Sequence, residues 1–414
     1  MVGKQKEISY IVREAREKDV ALAKELFSIQ TIENVRRFHR QIPGYQLTPL
    51  QNLSNLAALF GVGGLYTKDE SKRLTLNSFK VLGGSFALYR YLQKQLGILG
   101  EDTPFSYLGS EEVRKKVGDI TFASATDGNH GNGIAWASTQ LGFKSVIYVH
   151  AETSKRRIET IESNGATVVV VEGNYDDAVR QVALDAEKNG WTVVSDTSWD
   201  GYTEIPTWIM QGYTTIFAEA QEQFAALKIA KPTHLFIQAG VGALAASIIG
   251  FYHSLFGQDA PKCIVVEPDK AACLYESALA DDGKPRTVTG ALDTIMAGLA
   301  CGDPSPLAWD LLRELADAFL VVPDYLAAKG MRIYASPLAG DPATISGESG
   351  SATLATVISI MQSEDLKELK EALQLNEESH VLFISTEGDT DPVHYRQIVW
   401  DGASAVPQES WTDR

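Results

Sequence analysis

Short apolar runs alternate with helical periods along most of the chain from residue 119 onward. Runs such as VIYV and TVVVV are apolar at every position, which is typical of strands that are covered on both faces of a sheet. Strands that alternate with helices form βαβ units and therefore parallel sheets. We predict strands at residues 119–124, 145–150, 166–171, 191–195, 234–239, 262–267, 319–322 and 381–385.

This order predicts an α/β protein with two three-layer αβα domains, each built on a parallel-rich twisted sheet. The smaller domain is expected to span residues 83–194. It is inserted into a larger domain that consists of residues 1–82 and 195–414. Residues 101–118 are polar and rich in turn formers, so they are predicted to form a loop insertion.

Residues 235–252 carry no charge and reach the lower length limit of a membrane span. However, Gly240, Gly242 and Gly250 interrupt this stretch, and basic residues do not flank it. A buried strand, a glycine turn and a buried helix from Ala243 explain it better. The sequence therefore predicts no membrane partner.

The charge and the cysteines narrow the choice of partners. The chain has 414 residues and a net charge of −16, which argues against nucleic acid or an anionic membrane as partner and otherwise indicates only solubility. Cys263, Cys273 and Cys301 are too few for a disulfide scaffold or a zinc site, so we expect thiols in a reducing compartment, with a Cys273–Cys301 bridge as the minor alternative. No two histidines have metal-ligand spacing on one helix, so no catalytic metal is expected.

A glycine loop connects the predicted strand 234–239 with the following helix. Glycines there let backbone amides close around a phosphate at the positive end of the helix. The loop also fits the dinucleotide pattern G-x-G-x-x-A, and Glu267 ends the next strand where a ribose-binding acid is expected. An NAD-dependent dehydrogenase is therefore an open alternative. The loop consists of Gly240, Val241, Gly242, Ala243 and Leu244.

Lys80 stands between Phe79 and Val81 at the start of a predicted helix. An amine in such apolar company loses solvation and becomes a better nucleophile toward an aldehyde. The alternative is an ordinary surface lysine at a helix start. The residue pattern alone leaves both interpretations open.

The segment SATDGNHGNG, residues 124–133, again connects a strand to a helix. Its small residues and successive backbone amides are suited to hold a carboxylate at the helix N-terminus. An ordinary glycine-rich turn would explain the glycines. It would not explain the close succession of Asp127, Asn129 and His130.

Taken together, SFK at 78–80, GNH at 128–130, the glycine loop and GESG at 347–350 resemble the pyridoxal-phosphate enzymes of fold type II. This group has the tryptophan-synthase β-subunit fold and includes serine and threonine dehydratases. The longer segments SFKVLGGSFA, ATDGNHGNGIAWAS, DTSWDGYTEIPTWIMQGY, IMAGLACG and ISTEGDTDP resemble the diaminopropionate ammonia-lyase family more closely, over about residues 47–400.

This resemblance implies a carbon–nitrogen lyase of amino-acid degradation with pyridoxal 5'-phosphate as cofactor. The implied reaction is α,β-elimination of D- and L-2,3-diaminopropionate to pyruvate and ammonia, with a serine or threonine dehydratase as the alternative. The resemblance also implies a small amino-acid substrate and a homodimer, and the expected reducing compartment is the cytoplasm.

The resemblance further assigns the cofactor-binding residues. Lys80 is expected to form a Schiff base with the cofactor aldehyde, and residues 240–244 are expected to hold the phosphate. Asn129 is expected to contact the ring hydroxyl, and Ser385 or Thr386 the pyridine nitrogen. A neutral hydroxyl at that nitrogen gives a weaker electron sink, which suits elimination better than transamination.

Lys80, Asp127 and Asp196 are the expected catalytic residues. Dehydratases of this group usually have a small residue at the position of Asp127. The resemblance assigns α-proton removal from the L enantiomer to Lys80 and from the D enantiomer to Asp127. Asp196 matches a family acid near the same site, although a strand-end cap explains it equally well. The residues that the resemblance assigns to binding of the substrate carboxylate are Thr126, Asp127, Gly128, His130 and Gly131.

Overall fold

Strands and helices alternate along the chain in the computed structural model, which describes residues 1–4, 8–126, 128–173 and 175–406. The strands are β1 Val2–Lys4, β2 Ser9–Val12, β3 Leu50–Asn52, β4 Gly64–Asp69, β5 Thr121–Ala125, β6 Lys144–His150, β7 Thr167–Val171, β8 Thr192–Val193, β9 His234–Gln238, β10 Lys262–Pro268, β11 Ala318–Val322 and β12 His380–Ser385.

The α-helices are α1 Ala21–Leu26, α2 Ile29–Arg40, α3 Ser54–Phe60, α4 Lys80–Gln95, α5 Phe105–Leu108, α6 Glu111–Val117, α7 Asn129–Leu141, α8 Lys155–Ser163, α9 Tyr175–Asn189, α10 Glu204–Ala226, α11 Ala243–Phe256, α12 Cys273–Ala280, α13 Pro306–Leu315, α14 Asp324–Ala335, α15 Glu348–Gln362, α16 Lys367–Leu373 and α17 Pro392–Val399. Short 3₁₀ turns occur at Glu70–Thr75, Gly257–Asp259, Ala297–Leu299 and Glu364–Leu366. The helices of the described ranges are each too short or too polar to cross a lipid bilayer.

The larger sheet has the described strand order β1-β2-β11-β10-β9-β12-β4-β3. Its central strands β11, β10, β9, β12 and β4 pair in parallel, whereas β1, β2 and β3 add antiparallel edges. From β9 the chain continues through α11 to β10 on one side, while β12 pairs on the other side. The carboxyl ends of β9 and β12 therefore form a topological switch point, where α/β sheets bind ligands.

The smaller sheet has the described order β7-β6-β5-β8, and its strands pair in parallel. The chain leaves β5 through α7 toward β6, and β8 pairs with the opposite side of β5. The carboxyl ends of β5 and β8 are therefore a second switch point. The α/β class and the parallel-rich sheets are confirmed, as are the strand and helix on either side of the glycine turn in residues 235–252.

The chain groups into two compact units, each with its own sheet. One unit comprises Met1–Ser28, Leu47–Lys72 and Ile216–Arg414, and the other comprises Ile29–Gln46 and Arg73–Thr215. The second unit contains the predicted small domain, residues 83–194, and extends beyond it at both ends. The domain boundaries at 82/83 and 194/195 stay predictions.

Each unit has an apolar core on its sheet. In the first unit, β10 and β11 contribute residues that are fully or almost fully buried, among them Ile264, Val266 and Leu320. In the second unit, Ala123 and Tyr148 of the sheet pack with Ala178 and Val182 of α9. Burial of this apolar surface holds each sheet and its helices together and thereby fixes the strand ends described above.

The prediction of a loop at residues 101–118 is wrong, because this segment contains α5 and α6. Leu108 and Val113 are fully buried, and this burial stabilises two short helices that polar composition did not indicate. The hydroxyl of Ser110 caps α6 by accepting a hydrogen bond from the Val113 amide (3.3 Å). Strands β1 to β4 were not predicted from the sequence. β1 and β3 have three residues each, and β2 and β4 pair with the distant strands β11 and β12.

Candidate active site

Lys80 is the first residue of α4 and lies in an apolar setting. Phe79 and Val81 are buried, and the Lys80 amine lies 5.6 Å from the centre of the Phe79 ring. The Lys80 amide donates to the hydroxyl of Ser78 (3.4 Å), which helps the helix begin here. The predicted position of Lys80 at a helix start between buried apolar neighbours is confirmed.

The Lys80 amine forms an ion pair with Asp196. Its Nζ lies 2.5 Å from Asp196 Oδ2, and the two side chains are 21% and 9% exposed. Burial raises the pKa of Asp196, but the positive charges of Lys80 and His130 outweigh this effect and hold the pKa at about 2. Asp196 is therefore an ionised, nearly buried carboxylate in direct contact with the amine.

Two glycines bring neighbouring helices onto the first turn of α4. A Cβ atom at Gly133 of α7 would lie 2.9 Å from the Val81 Cα, and one at Gly212 of α10 would lie 2.5 Å from the Leu82 carbonyl oxygen. Both positions therefore require glycine, because a Cβ would overlap with backbone atoms. This backbone-to-backbone packing fixes the place from which Lys80 extends.

The turn after β5 is organised by the hydroxyl of Thr126. Thr126 Oγ1 accepts hydrogen bonds from the amides of Gly128 (2.9 Å) and Gly131 (3.1 Å), and Gly128 has a φ of 150°. Asn129 begins α7, so this turn leads directly into the positive end of a helix. Asp127 lies outside the described residues.

The residues after β5 and β8 are linked through one carbonyl group. The Val194 carbonyl accepts hydrogen bonds from Ser124 Oγ (2.7 Å) and from His130 Nε2 (3.0 Å). Val194 directly precedes Ser195 and Asp196. The second switch point thus brings together Lys80, Thr126, Gly128, His130, Gly131 and Asp196 of the predicted site residues.

The loop of residues 240–244 leads from β9 into α11, at the first switch point. Gly242 has a φ of 98°, which favours glycine, and it directly precedes the 14-residue helix α11. A Cβ atom at Gly240 would lie 3.2 Å from the Gly298 carbonyl oxygen, so a side chain there would require its neighbours to move by a few tenths of an ångström. Val241 O accepts from the Ser305 amide (2.8 Å), which fixes the loop. The first amides of α11 are therefore suited to an anion.

Ser385 and Thr386 follow at the end of the neighbouring strand β12, and their hydroxyl groups differ. Thr386 Oγ1 accepts a hydrogen bond from Gln238 Nε2 (3.0 Å), which also donates to the Ile384 carbonyl (2.9 Å). Ser385 is fully buried, and its Oγ has no hydrogen-bond partner among the described residues. A buried hydroxyl of this kind needs a partner, such as a ligand atom.

Glu267 at the end of β10 has a structural role. Its Oε1 accepts from the Leu274 amide (2.8 Å) and its Oε2 from the Tyr275 amide (2.7 Å), at the start of α12. Burial raises the pKa of Glu267 to about 8, although these hydrogen bonds oppose the shift. Both oxygens bind the helix rather than a ribose, which removes the second feature on which the dehydrogenase interpretation depended.

Tyr213 lies beside the ion pair, and sequence reasoning missed it. It is fully buried on α10, its ring lies 4.8 Å from that of Phe79, and its hydroxyl has no hydrogen-bond partner among the described residues. Burial raises the pKa of Tyr213, so the phenol stays neutral. In the sequence it resembles an ordinary apolar helix position, and no signal distinguished it.

Two further predictions concern the three cysteines and a catalytic metal. No disulfide joins Cys263, Cys273 or Cys301 among the described residues, and the Cys273 thiol donates to the Gly240 carbonyl oxygen (3.7 Å). Within the described ranges, no group of three or more His, Cys, Asp and Glu side chains has a metal-binding arrangement.

Known proteins are similar to this chain over most of its length. The model of the family described as pyridoxal-phosphate dependent enzymes matches residues 42–387. A diaminopropionate ammonia-lyase of Salmonella typhimurium is 47% identical over 372 residues, which cover 90% of this chain and 92% of the relative.

Two crystal structures of diaminopropionate ammonia-lyase from Escherichia coli have the same fold, and each match covers 97% of this chain and 99% of the other. The complex with D-serine has a TM-score of 0.89 at 42% identity. The complex with an aminoacrylate–pyridoxal-phosphate azomethine reaction intermediate has a TM-score of 0.86 at 43% identity.

Proposed function

Because this chain belongs to the pyridoxal-phosphate dependent enzymes, and among them to the diaminopropionate ammonia-lyase family, we propose that it converts D- and L-2,3-diaminopropionate to pyruvate and ammonia. The chain is a pyridoxal-phosphate dependent lyase. The observation that carries the proposal is the Lys80–Asp196 ion pair of 2.5 Å, because an amine in contact with an ionised carboxylate is a pair of groups suited to proton transfer.

The predicted cofactor-binding residues fit different parts of pyridoxal phosphate. The loop of residues 240–244 offers glycine backbone and the start of α11 to a phosphate. Ser385 offers to the ring nitrogen a buried hydroxyl that has no hydrogen-bond partner among the described residues, whereas the Thr386 hydroxyl already has Gln238 as a partner. We therefore assign the nitrogen to Ser385 rather than Thr386. Lys80 offers the amine for the aldehyde, and Asn129 at the start of α7 is assigned to the ring hydroxyl.

The substrate carboxylate is assigned to the turn after β5. Thr126 Oγ1 holds the amides of Gly128 and Gly131 in place, and the positive end of α7 adds to the attraction for an anion. The ring of His130 is bonded to Val194 O, so His130 shapes the turn, and its charged form lowers the pKa of Asp196.

Proton transfer is assigned to Lys80, Asp196 and Asp127. When bound, pyridoxal phosphate supplies an electron sink conjugated with the substrate nitrogen, which weakens the bond to the α-proton. Lys80 Nζ removes that proton from the L enantiomer, and Asp127 removes it from the D enantiomer. Asp196 holds the Lys80 amine in place and stabilises the positive charge that the amine gains with the proton. The leaving amine also needs a proton, and for the L enantiomer the Lys80 amine, which has gained the α-proton, is the group assigned to supply it.

A second candidate is elimination from serine, as in serine dehydratases. The similar Escherichia coli enzyme was crystallised with D-serine, which supports serine as a ligand of this site. Serine loses hydroxide instead of an amine, so the two reactions need the same α-proton removal and differ at the leaving group.

The remaining assignments are a cytoplasmic location and a homodimer. Only three cysteines in 414 residues support a reducing compartment. The resemblance to the ammonia-lyase family supports the homodimer. The molar mass, measured by light scattering during size-exclusion chromatography, tests this assignment.

One experiment tests the reaction. The purified protein is supplied with pyridoxal phosphate, reduced with borohydride and digested, and pyruvate release is measured with both enantiomers of diaminopropionate and of serine. We expect the cofactor on Lys80 and the fastest pyruvate release from diaminopropionate. Faster release from serine would favour the dehydratase. Protein without bound cofactor and without pyruvate release would contradict both.

A further inference from the structure

The strand that leads to Asp196 is too short to position it. β8 consists of Thr192 and Val193, lies at the edge of its sheet, and pairs only with β5 among the described strands. On the inner side, the Val194 amide donates to Ala123 O (2.8 Å). On the outer side, the Val193 carbonyl and the Ser195 amide face the edge of the sheet, where no further described strand supplies partners.

The hydroxyl of Tyr202 takes the place of that missing strand. It accepts a hydrogen bond from the Ser195 amide (2.9 Å) and donates one to the Val193 carbonyl (2.9 Å). A phenol has one hydrogen to donate, so this group is fully used. Together with the bonds of Ser124 and His130 to Val194 O, it holds the main chain on both sides of the edge strand up to the residue before Asp196.

The ring of Tyr202 is itself held in place. It stacks on Trp199 with 3.9 Å between the ring centres and 11° between the planes. The backbones of these two residues form an antiparallel bridge, with hydrogen bonds of 3.2 and 2.9 Å, across a turn in which Gly201 has a φ of 80°. The bridge and the ring stacking together fix the position of the Tyr202 hydroxyl relative to the edge strand.

We propose that Tyr202 is a positioning residue, which keeps the Asp196 carboxylate aligned with the Lys80 amine by bonding the main chain at Val193 and Ser195. Tyr202 itself does not exchange protons in the reaction. This inference rests on the proposed function for its catalytic consequence, whereas the alignment of Lys80 and Asp196 is testable without cofactor or substrate.

Tyr202→Phe is the informative variant, because it keeps the ring and its stacking on Trp199 and removes both hydrogen bonds. Tyr91→Phe is the matched control. Tyr91 Oη accepts from Thr192 Oγ1 (2.8 Å), so this variant also loses a tyrosine hydrogen bond to β8 but leaves residues 193–196 untouched.

The first readout uses cofactor-free protein and acetic anhydride as the probe, with the labelling of each lysine measured by mass spectrometry. The ion pair with Asp196 shields the Lys80 amine, so we expect Lys80 to be labelled several-fold faster in Tyr202→Phe than in the natural protein and in Tyr91→Phe. Lys94, at the other end of α4, serves as the internal reference. Equal labelling of Lys80 in all three proteins would overturn the proposal, whether or not the protein degrades diaminopropionate.

The second readout uses the holoenzyme with L-diaminopropionate. We expect kcat of Tyr202→Phe to fall about ten-fold, since misplacement of a catalytic group slows the chemical step, with less than a two-fold change in KM. Asp196 is faced by Lys80, His130, Tyr202 and Tyr213, and a weaker contact with Lys80 raises its pKa. The acid limb of the kcat profile therefore moves to higher pH in Tyr202→Phe but not in Tyr91→Phe. Identical profiles for the two variants would overturn the proposal, and inactivity of the natural protein would instead contradict the proposed function.

Discussion

The Lys80 amine and the Asp196 carboxylate lie 2.5 Å apart, although 116 residues separate them in the chain. Lys80 begins a helix and Asp196 follows an edge strand, so two different elements determine this distance. The Asp196 side chain is only 9% exposed, so the charge of Lys80 offsets much of the cost of burying this carboxylate. Removing either charge should therefore affect the stability of the fold as well as the chemistry.

Lys80→Ala should abolish borohydride-stable attachment of pyridoxal phosphate and pyruvate release. The physical reason is the loss of the amine that we assign to the cofactor aldehyde. Lys94→Ala is the control, since Lys94 lies on the same helix and is also ion-paired, with Glu204 at 2.5 Å. It should keep the visible absorbance of the bound cofactor and at least half of the activity. Full activity of Lys80→Ala would refute the assignment.

Asp196→Asn should lower kcat about 100-fold. A neutral amide does not stabilise the positive charge of the protonated Lys80 amine, and it cannot hold that amine by an ion pair. Far-UV circular dichroism should stay that of the natural protein. Asp200→Asn, in the exposed turn that follows, should retain normal kinetics. If both variants lose activity equally, the turn as a whole and not the Asp196 carboxylate is responsible.

Asp127→Asn should impair the D enantiomer of diaminopropionate more than the L enantiomer, by about ten-fold or more in the ratio of kcat/KM. The prediction rests on the sequence position of Asp127 between Thr126 and Gly128, next to the turn assigned to the substrate carboxylate. Pyruvate release is measured with each pure enantiomer. A parallel loss for the two enantiomers would contradict the assignment of separate bases.

Gly133→Ala should destabilise the protein by about 1–3 kcal/mol, because its Cβ would lie 2.9 Å from the backbone of Val81. Activity should fall as well, since α7 would push away the turn that carries Lys80. Gly109→Ala is the control, with its nearest contact at 3.4 Å and a φ of −81°. Urea unfolding of the two variants measures the difference, and equal midpoints would show that α7 accommodates the methyl group.

His253 should make the protein less stable as the pH falls from about 6.5 to about 4. Burial lowers the pKa of His253 to about 4, and the charge of Lys18 adds to this shift. The unfolded chain takes up a proton near its ordinary pKa, while the folded protein does so only near 4, so acid favours unfolding. The effect amounts to about 3 kcal/mol when complete.

His253→Gln tests this, because glutamine keeps a polar side chain and does not titrate. Urea unfolding is measured at pH 7 and pH 5 for the variant and for the natural protein. The loss of unfolding free energy between these pH values should be smaller in the variant by about 2 kcal/mol. The same loss in both proteins would locate the acid sensitivity in other groups.

Local patterns predicted the parts of the fold that depend on neighbours in the chain. The start of α4 at Lys80 and the sequence of β9, glycine loop and α11 each lie within one stretch of periodic sequence. The pairing of β2 and β4 with the distant strands β11 and β12 has no such local signal, and the buried positions Leu108 and Val113 overrode the polar composition of residues 101–118.

The chemistry of individual side chains was harder to predict than their presence in a site. Glu267 stands where a ribose-binding acid would stand, yet its two oxygens cap α12. Ser385 and Thr386 are equivalent in sequence terms, and only the hydrogen bond from Gln238 distinguishes them. Such distinctions depend on what lies opposite each side chain in space, which the order of residues does not contain.

The close packing at Gly133 and Gly212 fixes the backbone of Lys80 but still allows its side chain to rotate. Its backbone is clamped between two other helices, so the amine travels only as far as rotation about the four methylene groups allows. Substitutions that adapt this protein to a bulkier substrate should therefore alter the space around the Lys80 side chain and leave Gly133 and Gly212 unchanged. The packing of these two glycines against the first turn of α4 is the feature that a redesign has to preserve.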